Sequence, residues 1–275
     1  MANAPKPTTV VKESSTASNL FAVLVIPICI IIGFLLFQFV LGDPSNFVDN
    51  DPAGHPKPGN FAGMAYKGGY IVPILMGMLL MVFVFSVERF IVISKATGAG
   101  SLDAFIKKIQ GYLASSNIEG AMAECDKQKG SVANVIKSGL KKYREMEVEA
   151  NMDTDQKCLA IQKDIEEATT LEMPMLEQNL TVIATLVSVG TLTGLLGTVT
   201  GMIKAFGGLA TSGAPDQAAL ANGISEALIN TATGIATSTV AIIMYNILTS
   251  KIDKLTYAID EAGFSIIQTY ASTHK

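Results

Sequence analysis

Glu226 is the residue on which chemistry could be built. It stands near the head of the stretch ISEALINTATG, residues 224–234, in a segment that is otherwise apolar. At 100° per residue, Asn222, Glu226, Asn230, Thr233 and Thr237 share a sector of about 80° on a helix, while Thr231 and Ser238 lie on a different side. Polar side chains at membrane depth cost free energy when they lack partners, so such a stripe should face another helix or a wet cavity. An ionisable group there marks an ion or proton path by default. A structural reading stands beside this one. A glutamate near a helix N-terminus is favoured by the dipole, and Lys204, at the outer end of the preceding apolar run, could pair with it. The residue pattern leaves both open.

That preceding run reads LTVIATLVSVGTLTGLLGTVTGMIKAFGG. Gly190, Gly194, Gly197 and Gly201 fall in one narrow sector, a smooth ridge that lets a second helix approach closely. Thr191 and Thr198, seven residues apart, align on a neighbouring sector. Their hydroxyls could bond only to their own helix backbone, or they could line a polar path; the spacing does not decide. The fragment GTVTGMIK is glycine-rich but lacks the order of a phosphate-binding loop and sits inside an apolar span, so a nucleotide site is excluded.

The elements that must position these residues follow from composition. The chain has 275 residues, 49% hydrophobic and only 16% charged, against about a quarter charged in soluble domains. Four runs are long enough to cross a bilayer, which takes roughly 20 residues as a helix, and period-2 alternation is missing, so a β-barrel is not expected. The expected fold is an all-α polytopic membrane protein. An N-terminal tail, 1–19, precedes an extra transmembrane helix over 20–42, too long for a signal core and without a small-residue cleavage site. A Gly/Pro-rich loop over 43–69 leads to a second span, 70–93. A helical domain over 94–179 leads to the third span, 180–207. A short loop, 208–221, then precedes the fourth span, 222–250, and a tail, 251–275.

Lysine and arginine crowd 94–179, whereas 43–69 holds only Lys57 and Lys67 and 207–223 holds none. By the positive-inside rule the middle domain is cytoplasmic, both short loops are periplasmic and both termini are cytoplasmic. Glu88 and Arg89, at the inner end of the second span, are expected to reach lipid headgroups. In the middle domain, Ser116 with Glu119 suggests a capping box, a helix starts near Asp153, and Pro174 suggests a kink or joint.

No catalytic set emerges, and the protein is not expected to be an enzyme. The spans hold no histidine and no Ser/Lys dyad, and His55 and His274 fall in a loop and a tail. Cys29, Cys125 and Cys158 show no pair spacing, so neither a metal nor another cofactor is expected. The net charge of −4 gives no sign of a nucleic-acid partner.

LTGLLGTVTGMIKAF followed by ISEALINTATGIATSTVAIIMYN resembles the paired signature of the MotA/TolQ/ExbB proton-channel family, most like its ExbB members, and VFVFSVERFIVI fits that family's first span. The resemblance runs from about Tyr70 to the C-terminus. It implies that Glu226, Thr198 and Thr231 line the inner channel. It also implies a pentamer in the Gram-negative inner membrane whose last two spans surround an ExbD-like dimer bringing an essential aspartate. The output would be work on a TonB-like protein for outer-membrane nutrient uptake. TolQ-like envelope maintenance, a motility stator and a non-conducting scaffold are the alternatives. Two features depart from the pattern: the extra span at Leu20–Leu41, and SVGTLT ahead of GLLGTV, where Ala-Pro is expected.

Overall fold

The computed structural model describes residues 14–211 and 217–274. Residues 1–13 of the expected 1–19 tail and the heart of the short loop, 212–216, lie outside them. Nine α-helices and no strand occur among the described residues, with one short π-helical and two 3-10 segments between the first two: α1 Ser14–Leu36, α2 Phe61–Tyr66, α3 Ile71–Thr97, α4 Leu102–Ala114, α5 Ile118–Gln128, α6 Gly130–Val148, α7 Thr154–Glu177, α8 Leu180–Thr211 and α9 Gln217–Thr273. Four of these contain stretches long and apolar enough to cross a membrane, beginning at Leu20, Ile71, Leu180 and Leu220. The fold is therefore the all-α, four-span architecture that the hydrophobic runs imply.

The chain forms two compact units. The first holds 14–84 and 182–242. Here α1 crosses α3 at two glycines: a Cβ on Gly33 would stand 2.5 Å from the Pro73 carbonyl, and one on Gly77 would stand 2.9 Å from the Ile30 Cα. Small residues allow this approach where lipid gives helices no hydrophobic reason to associate. The segment between α1 and α3, read from sequence as an irregular loop, is ordered around the fully buried Phe47. Tyr66 stacks on Phe37 at 4.7 Å and meets Phe47 edge-on at 5.5 Å. Lys67 Nζ donates to the carbonyls of Pro52 and Ala53, both at 2.9 Å.

The second unit holds 85–181 and 243–274. Its core is aliphatic and aromatic: Ile109, Leu113, Ile136, Leu140, Tyr143, Ile161, Leu255, Ile259, Ile266 and Tyr270. The last four come from α9, so residues 251–273, read as a tail, are helix that supplies one face of this core. Their apolar positions recur at helical spacing, which is the reason they pack.

Three local expectations change. Arg89 is 2% exposed and reaches no headgroup region. It donates to Glu88 Oε2 at 2.6 Å, to Glu88 Oε1, and to the Met175 carbonyl at 2.9 Å. A guanidinium carries five donors in a rigid fork and is better satisfied by fixed acceptors. Asn117, not Ser116, caps α5: its side chain accepts from the Gly120 N–H at 2.8 Å, while Ser116 sits at φ +53, outside the extended geometry that a cap needs. Pro174 does not break its helix. α7 runs on to Glu177, and the joint with α8 falls at Gln178–Asn179, where Asn179 takes φ +62, a conformation asparagine tolerates. Asp153 caps α7 in a reciprocal box with Gln156, as its sequence suggests.

Candidate functional site

Within the first unit, α8 and α9 run antiparallel along a seam of small residues. A Cβ on Gly194 would stand 3.0 Å from both the Asn230 carbonyl and the Gly234 Cα. One on Gly190 would stand 2.8 Å from Ser238 Oγ, and one on Gly201 would stand 3.0 Å from the Ala227 nitrogen. Gly197 faces the Asn230 side chain still more closely. All four glycines of the ridge thus meet α9. The opposite face of α8 carries Leu192, Leu195, Leu196, Val199 and Ile203, all exposed, as a lipid-facing surface would be.

Hydroxyls bridge one edge of this seam. Thr191 donates to Ser238 at 2.8 Å. Seven residues along each helix, the Thr198 and Thr231 hydroxyls are hydrogen-bonded to each other. Each also has a carbonyl of its own helix in reach, Gly194 at 3.3 Å for Thr198 and Ala227 at 3.2 Å for Thr231. A hydroxyl has one proton. Either threonine can therefore donate across the seam while the other turns to its own backbone, and the direction of the bridge can reverse without breaking it.

Glu226 lies at the other edge. Counting 100° per residue, it stands about 140° around α9 from Thr231, with Gly223, Ala227, Asn230 and Gly234 on the arc between. Its Oε1 accepts from Lys204 Nζ at 2.6 Å. The Glu226 side chain is 14% exposed and that of Lys204 50%. Lys204 Nζ also stands 5.2 Å from the Tyr70 ring centroid, within cation–π range. The carboxylate is pressed against Gly69, which precedes α3. Gly69 takes φ +77, and a Cβ there would stand 2.5 Å from Glu226 Oε1, so this position needs glycine for its conformation and for the close approach.

The remaining stripe residues divide by burial. Asn222 is exposed. Thr233 and Thr237 donate back to the carbonyls of Ile229 and Thr233, at 2.8 and 2.9 Å. Asn230 is fully buried beside Gly197, and neither atom of its amide has a partner. The structure therefore brings together Thr198 with Thr231, Thr191 with Ser238, and Glu226 with Lys204. It does not bring Glu226 to the threonine pair within one chain.

Sequence reasoning missed Gly69 and Tyr70, which come from a different span and carry no local signal. It also set Ser238 aside, although 191/198 and 231/238 share one seven-residue spacing that would have paired them. The thiols offer no competing chemistry. Burial pushes Cys125 up to about 12, so it stays a neutral core side chain, and among the described residues no cluster could hold a metal ion.

Residues 127–261, which include all of these α8 and α9 positions, match the MotA/TolQ/ExbB proton channel family. Among curated proteins, the Tol-Pal system protein TolQ of Pseudomonas aeruginosa is 29% identical over 155 residues, 56% of this chain and 67% of that protein. The biopolymer transport protein ExbB of Pseudomonas putida is 33% identical over 86 residues, 31% of this chain and 26% of that protein. That of Salmonella typhimurium is 37% identical over 70 residues, 26% of this chain and 29% of that protein. The chain thus spans about two thirds of the TolQ relative and under a third of these ExbB relatives. Neither α1 nor α3 falls within the family match.

Proposed function

The chain belongs to the MotA/TolQ/ExbB proton channel family, and from that premise we infer that it is a proton-channel and stator subunit coupling proton motive force to mechanical work. The site is in the Gram-negative inner membrane with both termini cytoplasmic, the orientation favoured by the crowding of Lys and Arg in 94–179. Copies of the chain, five by family likeness, surround an ExbD-like pair of single-span helices, and the output is work on a TonB-like protein for nutrient uptake across the outer membrane.

The observation that carries this reading is Glu226. It is the one carboxylate on the apolar stretches of α8 and α9, it is largely covered, and two hydroxyl bridges lie across the seam from it. Each proton falling through about 100 mV releases roughly 2.3 kcal/mol. To capture that energy, protonation must bias a two-state element. Neutral, a carboxyl can rest against an apolar helix; ionised, it needs water, a cation or a hydroxyl. A partner aspartate would supply the second acid of the relay, and its alternation between these states would step the inner helices. Thr198 and Thr231, whose bridge can reverse, are suited to receive a charge at the pore.

The test is Glu226→Gln in cells and in the purified complex. Assembly should be unchanged while energised uptake is lost. A Gln variant that works normally would sink the relay and leave a structural scaffold.

A second output is envelope maintenance, since relatives of both names match: TolQ over 155 residues and an ExbB homolog over 200. Deleting the gene separates the two: loss of energised nutrient uptake supports the first reading, and detergent sensitivity with uptake intact supports the second.

A further inference from the structure

We propose that Lys204 is a latch for Glu226: a positioning residue that holds the carboxylate at the outer edge of the α8–α9 seam until a partner helix displaces it. This rests on the proton-relay reading above and adds a residue which that reading does not use. The pair is short, 2.6 Å between Nζ and Oε1, and it is asymmetric. The carboxylate is 14% exposed and the amine 50%. The lysine can therefore leave towards water or headgroups at small cost, whereas the glutamate cannot stay charged alone.

The released amine has a second resting place, the Tyr70 ring at 5.2 Å. Among the described residues Lys204 on α8 is the charged partner of Glu226, and the Tyr70 ring ahead of α3 stands beside that lysine. On the α3 side the carboxylate lies close to the Gly69 backbone, where a Cβ would stand 2.5 Å from Oε1. The Thr198–Thr231 bridge waits across the glycine seam, not within reach of the latched position. A carboxyl freed of its lysine could take and release protons without a partner helix in place. The latch would prevent that idle leak.

The experiment uses the full chain purified with the membrane partners that accompany it, in phosphatidylethanolamine–phosphatidylglycerol vesicles holding a pH-sensitive dye. Lys204→Met should raise passive proton leak at least about tenfold. Lys204→Arg should return it to the wild-type level, and Lys204→Met combined with Glu226→Gln should abolish the excess, because the leak runs through the carboxyl. A merely structural lysine would lower thermal stability without this Glu226-dependent leak. A folded Lys204→Met complex that leaks no more than wild type overturns the latch.

If Lys204→Met fails to assemble, wild type still decides. A hydrophobic carbodiimide should join Nζ to the Glu226 carboxyl as an amide, with the reagent leaving as its urea, and mass spectrometry should find that link. Its absence overturns the pairing. Failure of the relay itself reads out separately, as a Glu226→Gln variant that retains energised work.

Discussion

The two units bury polarity in opposite directions. In the second unit most charges are outside and the interior is aliphatic and aromatic. Lys142 pairs with Glu145 at 2.9 Å and Arg144 with Glu119 at 2.5 Å, while Ile109, Leu140 and Ile161 fill the core. Glu124 is the covered exception, 10% exposed and held by Lys108 at 2.5 Å. The hydrogen bond from Lys108, helped by Lys127, holds the Glu124 carboxyl below the usual carboxylate range. In the first unit, α8 shows leucine and isoleucine outwards and turns glycine and threonine inwards, towards an unpaired asparagine and a covered glutamate. Water rewards the first arrangement and lipid the second. An ion pair at the surface of the second unit is therefore close to expendable. Along the apolar stretches of α8 and α9, Lys204–Glu226 is a device with a cost attached, and a reason is needed for its presence.

Four substitutions break or sharpen that contrast. Gly197→Leu should do most, because its side chain must displace Asn230 from the seam. A destabilisation of about 3 kcal/mol or more is expected, seen as loss of folded protein in a detergent thermal scan. Arg89→Met tests the most deeply buried charge of the second unit. It leaves the Met175 carbonyl without this donor and Glu88 with the weaker one from the Asn179 amide at 3.4 Å, and should cost about 2 kcal/mol by the same scan. Thr198→Val removes one half of a hydroxyl bridge and should cost about 1 kcal/mol. Proton-coupled activity should fall with it, and an unchanged activity would reduce Thr198 to packing. Arg144→Ala, at the exposed pair with Glu119, should leave the thermal midpoint within error. If it costs as much as Arg89→Met, the inside-out contrast is wrong.

Much of the fold was legible because its signals are local. Each spanning helix announces itself by an unbroken apolar run, and the glycine ridge by its four-three-four spacing along one helix. Where local signals compete, neighbours and the backbone decide. Ser116 and Asn117 both suit a cap, and only the backbone at 116 shows which one is used. Arg89 looked like a headgroup anchor because it ends a span, yet the adjacent Glu88 carboxylate and the distant Met175 carbonyl take it inside. Residues 251–273 looked like a tail because what they pack against lies more than a hundred residues away.

The sequence by itself determined the four apolar helices, the glycine face and the single acid on the apolar stretches of the last two, since these depend on residue type and on spacing along one helix. Tertiary structure alone decided which polar groups meet. It paired Thr198 with Thr231, gave Glu226 to Lys204 and Gly69, left Asn230 unpaired, and put a seam of glycine between acid and hydroxyls. Those outcomes depend on the register and facing of two helices, which short-range periodicity does not contain.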